Sequence, residues 1–77
     1  MKLTISQIDK VLLSDDVESV TVPGTSGEMT VLAHHMPLIT TLKRGTITVK
    51  HKEGKPEVFE IDSGFLEIGK TETVILV

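Results

Sequence analysis

Twenty-six of the 77 residues are β-branched (nine Val, seven Ile and ten Thr), whereas alanine occurs once, at Ala33. β-branched side chains lose χ1 freedom in a helix and pack well on a pleated surface. The best helix former is all but missing. An all-β chain is therefore expected, and its hydropathy has the matching period. Ile47 and Val49 alternate with Thr46, Thr48 and Lys50; Val20 and Val22 alternate with Ser19 and Thr21; Leu66 and Ile68 alternate with Phe65 and Glu67. Phe59 and Ile61 share one face and Val58 and Glu60 the other. Strict alternation of this kind marks half-buried strands.

Turn residues punctuate the chain at Ser14-Asp15-Asp16, Pro23-Gly24-Thr25-Ser26-Gly27, Gly45, Glu53-Gly54-Lys55-Pro56, Asp62-Ser63-Gly64 and Gly69-Lys70. The stretch from Gly45 to Ile61 reads as a hairpin with its tip at Glu53 to Pro56, because Pro56 cannot donate to a ladder. Spacing of this kind predicts an antiparallel β-sandwich of two sheets with about eight to ten short strands in one domain over residues 1–77. Two runs break the alternation. Val74-Ile75-Leu76-Val77 is apolar on both faces, so it is either covered on both sides or unfinished. Leu38 and Ile39 are neighbours behind Pro37, which favours an edge. Both runs either fill the two halves of the core or meet a partner.

Composition excludes several classes of function. Eight Lys and Arg against eleven Asp and Glu give a net charge of −3, and Phe59 and Phe65 are the only aromatics. Nucleic-acid binding wants a basic footprint and stacking platforms, so no nucleic-acid partner is expected. With no cysteine there is no disulfide, no thiolate metal site and no cysteine nucleophile. No apolar run approaches the roughly 20 residues of a membrane span, and Met1 to Ser6 has no signal-like core. Any membrane connection is expected to run through a partner.

Candidate chemistry is sparse. His34 and His35 are adjacent, and in a strand they would point to opposite faces and could not chelate one metal. His51 is far along the chain, and no spaced carboxylates complete a zinc set. No metal, nucleotide or other cofactor is expected. Asp15-Asp16 reads as a solvated bend rather than a catalytic pair. Pro23 to Glu28 is glycine-rich but lacks the terminal Gly-Lys-Ser/Thr of a phosphate loop, so a hairpin loop is expected there. Lys55 lies at a hairpin tip, where biotinyl and lipoyl carrier domains of similar size present their modified lysine. Its Gly-Lys-Pro setting differs from the Met-Lys-Met or Asp-Lys-Ala context of those domains.

The motifs in order carry a resemblance. Val17-Glu18-Ser19-Val20-Thr21-Val22-Pro23-Gly24 is followed by Gly27-Glu28-Met29 and by His35-Met36-Pro37-Leu38-Ile39-Thr40-Thr41-Leu42-Lys43-Arg44-Gly45. Then come Ser63-Gly64-Phe65-Leu66-Glu67-Ile68 and Val74-Ile75-Leu76. This succession resembles the N-terminal domain of the epsilon subunit of rotary F-type ATP synthase. The resemblance covers essentially the whole chain and implies a sandwich of two five-stranded sheets. It implies a non-catalytic, central-stalk role that couples the gamma subunit to the c-subunit ring, so that rotation driven by proton flow reaches the catalytic head. It also implies a location on the cytoplasmic face of the bacterial inner membrane, held through the complex.

Carried over position by position, the resemblance makes Gln7, His35, Leu38, Thr40 and Leu42 the gamma-facing residues. Ser26, Gly27, Glu28 and Met29 become the ring-facing loop, with Glu28 offering its carboxylate to polar or basic groups. Three departures stand out. Ala33-His34 replaces a common Pro-Gly, Arg44 replaces a common proline, and the sequence stops at Val77, before the family's C-terminal helical hairpin. Inhibition of ATP hydrolysis and nucleotide binding, which belong to that hairpin, are not expected of these residues.

Overall fold

A computed structural model describes all 77 residues. Nine strands account for the alternating runs: β1 (Lys2–Gln7), β2 (Lys10–Asp16), β3 (Ser19–Gly24), β4 (Gly27–Leu32), β5 (Leu38–Leu42), β6 (Gly45–Lys50), β7 (Glu57–Ile61), β8 (Gly64–Ile68) and β9 (Glu72–Leu76). They follow the order β2-β1-β9-β8-β5-β3-β6-β7, with β4 paired to β3. The β5–β3 step is a single bridge, Gly24 to Leu42. The sheet therefore folds over at that point into two layers, β2-β1-β9-β8-β5 and β4-β3-β6-β7. The second layer has four strands rather than the five implied by the resemblance, since the chain forms nine strands and five of them pair in the first layer.

Alternation puts one side chain in two between the layers. Leu3 and Ile5 of β1, Val20 and Val22 of β3, Ile47 and Val49 of β6, Leu66 and Ile68 of β8 and Ile75 of β9 join one cluster of 13 buried apolar residues. Each such side chain contributes about 1.5–3 kcal/mol when fully buried. Thr73 has the inward parity of β9 and is buried; its hydroxyl donates to the Met1 Sδ at 3.5 Å. No buried side-chain polar atom lacks a partner.

The strand pairs are antiparallel except one: β1 runs parallel to β9, with Leu3 beside Thr73 and Ile5 beside Ile75. The Gly45–Ile61 hairpin forms as expected, with Ile47 opposite Phe59 and Gly45 opposite Ile61. Two expectations are corrected. Asp15 and Asp16 end strand β2 instead of forming a bend, since both are exposed on an edge strand where charge is tolerated. His34 and His35 lie in the turn between β4 and β5 rather than in a strand.

That turn closes with the His35 N–H donating to the Leu32 carbonyl at 3.3 Å. His34 has φ of 67°, the only positive φ outside glycine. A turn whose third residue has positive φ favours Pro-Gly at its centre. Ala33-His34 thus sits at the centre of a turn of the kind that Pro-Gly favours.

Candidate functional site: two exposed surfaces

Strand order brings the two irregular runs together. In the outer face of the five-stranded layer, Ile39, Glu67 and Val74 form one row across β5, β8 and β9, and Thr41, Phe65 and Leu76 form the next. Ile39 is 72% exposed, Phe65 56% and Leu76 50%. Together with Val74, Leu66 and Glu67 they line a shallow depression of about 150 Å³. A wider groove of about 640 Å³ continues from it past Pro37, Leu38 and Ile68. Glu67 is the one ionisable group set into the depression. Clustered exposed apolar side chains of this kind occur at interaction surfaces and ligand-binding grooves.

The second surface is the β3–β4 hairpin tip. Gly24 pairs with Gly27 around the turn residues Thr25 and Ser26. Gly27 has φ of 134°, which favours glycine. Ser26, Gly27 and Glu28 are exposed, while Met29 points inward and packs against the core. Pro23 contributes to this geometry. The β3–β6 ladder stops at Thr21 opposite Thr48, short of the point where Pro23 would have to donate. Its carbonyl instead accepts from the Lys43 N–H at 2.9 Å.

The expected gamma-facing residues do not form one patch. His35 is exposed, and its Nδ1 lies 2.8 Å from the Met36 carbonyl, which makes Nδ1–H the donor. Leu38 is 37% exposed beside the apolar groove. Thr40 is half-buried, since it shares the inward parity of Leu38 and Leu42. Leu42 is a correction: at 3% exposure it is a core residue opposite Gly64 and presents no surface to a partner. Gln7 is exposed at the far end of β1, which β9 and β8 separate from β5. Ile39, Phe65, Val74 and Leu76 were not in that set. The signal for Ile39, Val74 and Leu76 was the excess of apolar residues in two runs, readable as a face only once β8, which carries Phe65, is known to lie between β5 and β9.

Charged groups elsewhere pair locally. His51 Nε2 is 2.6 Å from Glu57 Oε1, and the Met1 ammonium is 2.6 Å from Asp16 Oδ1. The ammonium hydrogen bond, and then the charge of Lys52, hold the Asp16 carboxyl below its ordinary value. No group of three or more His, Asp or Glu is arranged to hold a metal ion. Lys55 lies in the β6–β7 turn, directly before Pro56.

A two-layer β-sandwich with an apolar outer face and an exposed polar hairpin tip defines an interaction domain. Over residues 1–77 the sequence matches the family described as "ATP synthase, Delta/Epsilon chain, beta-sandwich domain", and the chain belongs to it. It is 45% identical over 67 residues to the ATP synthase epsilon chain of Mesorhizobium japonicum, covering 87% of this chain and 50% of that protein. It is 39% identical over 75 residues to that of Agrobacterium fabrum, covering 97% of this chain and 55% of the other. This chain thus spans about half the length of the curated relatives it matches.

Among solved structures, a chain of the Euglena gracilis mitochondrial ATP synthase (OSCP/F1/c-ring, rotational state 1) superposes with a TM-score of 0.91 at 28% identity, covering 97% of this chain and 48% of that one. A chain of the Tetrahymena thermophila mitochondrial ATP synthase central stalk/c-ring gives 0.87 at 13% identity, covering 99% and 61%, a likeness of fold alone.

Proposed function

We propose that this chain works as a non-catalytic rotor component of a proton-translocating ATP synthase, joining the gamma subunit to the c-subunit ring. The observation that carries this reading is the apolar outer face around Ile39, Phe65, Val74 and Leu76, on a domain whose family is that of ATP synthase delta/epsilon chains. A part that passes torque needs rigidity and two contact surfaces, not a reaction centre. In this reading the apolar face, with Leu38 and His35 at its margin, meets gamma. The tip residues Ser26, Gly27 and Glu28 meet the polar loops of the ring, where Glu28 offers a carboxylate. The domain is then peripheral at the cytoplasmic face of a bacterial inner membrane, with membrane contact only through the complex.

Calorimetry of the chain with purified gamma subunit tests the reading. Association at micromolar concentration is expected. A buried apolar contact replaced by a charge typically loses at least tenfold in affinity, and Phe65→Asp and Leu38→Asp should each do so with the fold intact by circular dichroism. Absence of association by the wild-type chain, or unchanged affinity in both variants, overturns it.

A further inference from the structure

Side-chain packing and the exposed Lys52–Asp16 ion pair join the two layers elsewhere, but strand pairing joins them at one corner alone. There Gly24 of β3 pairs with Leu42 of β5, and no other strand of one layer pairs with a strand of the other. The Lys43 N–H donates to the Pro23 carbonyl at 2.9 Å, and the Thr25 N–H donates to the Thr41 carbonyl at 3.1 Å. The hydroxyls of Thr25 and Thr41 share a further hydrogen bond of 3.0 Å. The second layer is itself tightly packed at this corner. A Cβ on Gly24 would fall 2.7 Å from the Gly27 carbonyl oxygen, and one on Gly45 would fall 2.9 Å from the Pro23 Cβ.

The two threonines belong to the two surfaces. Thr25 opens the turn that carries Ser26, Gly27 and Glu28. Thr41 lies in the same strand as Leu38 and Ile39, and in the same row as Phe65. We propose that this corner is a clamp that transmits force between the hairpin tip and the apolar face, with Thr25 and Thr41 as its positioning residues. The inference rests on the reading that the two surfaces engage different partners.

Packed apolar layers are joined by many weak, non-directional contacts, and such layers yield by small sliding movements. Hydrogen bonds fix both separation and register. A tangential push on the tip would therefore be absorbed as shear between the layers unless the tip were tied to the first layer directly. The corner supplies that tie at the end of β3 nearest the tip. From the turn, force reaches β5 through Thr25 and Thr41 without crossing the core.

The test uses the assembled ATP synthase in inverted membrane vesicles, with ATP hydrolysis and ATP-driven proton uptake read from the same sample. The chain has no native cysteine, so Thr25→Cys/Thr41→Cys forms one defined cross-link within it. Wild-type enzyme treated identically controls for cysteines in other subunits. Reduced thiols are weak hydrogen-bonding groups, so the reduced double variant should pump about twofold fewer protons per ATP, and oxidation should restore the wild-type ratio reversibly. Thr25→Val should behave like the reduced form and Thr25→Ser like the wild type.

Affinity for gamma should stay within about twofold of wild type for the Thr25 variants, which leave the apolar face in place. A purely structural role would lower thermal stability without a redox-reversible change in the pumping ratio. Equal pumping ratios in the reduced, oxidised and wild-type enzymes, or a wild-type ratio in Thr25→Val, overturn the clamp. Failure of the wild-type chain to bind gamma overturns the underlying reading instead, so the two failures are told apart.

Discussion

Gly64 lies so close to Leu76 that a Cβ on it would sit 2.6 Å from the Leu76 carbonyl oxygen. The partner atom is backbone and cannot rotate away. Gly64→Ala is therefore expected to force β8 and β9 apart, at the cost of about 1–3 kcal/mol typical of overpacking. Urea unfolding would measure it. Phe65 pairs with Leu76 in the next rung, so the same change should also weaken gamma binding. Amide exchange should rise first in β8 and β9.

Acid dependence should trace to Asp16. Its carboxyl is held below its ordinary value by the hydrogen bond from the Met1 ammonium and by Lys52. Because the folded value is lower than the unfolded one, the stabilisation is present above the unfolded value and is lost as pH falls through the folded value. Asp16→Asn is expected to melt slightly below the wild type at neutral pH, with the gap closing below about pH 4. Asp16 is solvent-exposed, so the gap should also shrink in high salt. Melting curves from neutral pH to acid, for both proteins, check the sign.

His34 holds a φ of 67° at a position where the turn favours glycine. A left-handed conformation costs a non-glycine residue roughly 1–2 kcal/mol, partly offset by the freer unfolded chain that glycine creates. His34→Gly is thus expected to stabilise the domain by up to about 1 kcal/mol. Thermal melting would show a rise. A fall would mean that the imidazole makes a contact worth more than the strain.

Much of the fold was legible because it depends on local periodicity. Val20 and Val22, Ile47 and Val49, and Leu66 and Ile68 alternate cleanly and are all buried. β2 was hidden by two local effects. A register shift in the β1–β2 pair leaves Leu12 and Leu13 both half-buried, which erases the alternation. Asp15-Asp16 imitates a turn, although an edge strand accepts such charges.

The candidate surface was half legible. The apolar excess in Leu38-Ile39 and in Val74 to Val77 showed that something had to be explained. Whether Ile39 and Val74 share a face depends on which strand lies between them, and that is long-range information. Leu42 illustrates the converse. Position in a motif suggested a contact residue, but period-two parity with Leu38 and Thr40 turns it inward, and the end of β5 is where the layers meet.

The placement of β9 also orders events in time. It lies between β1, its parallel neighbour, and β8, so the opening hairpin joins the rest of its layer only through a strand made much later. As the chain emerges from the ribosome, β1 and β2 must wait, with one edge of β1 unpaired, until residue 76 has cleared the exit tunnel. Non-local pairing of this kind slows folding and leaves strand edges open to wrong partners. A nascent chain stalled before β9 should therefore be protease-sensitive throughout its first layer, and emergence of β9 should bring protection to the whole layer at once.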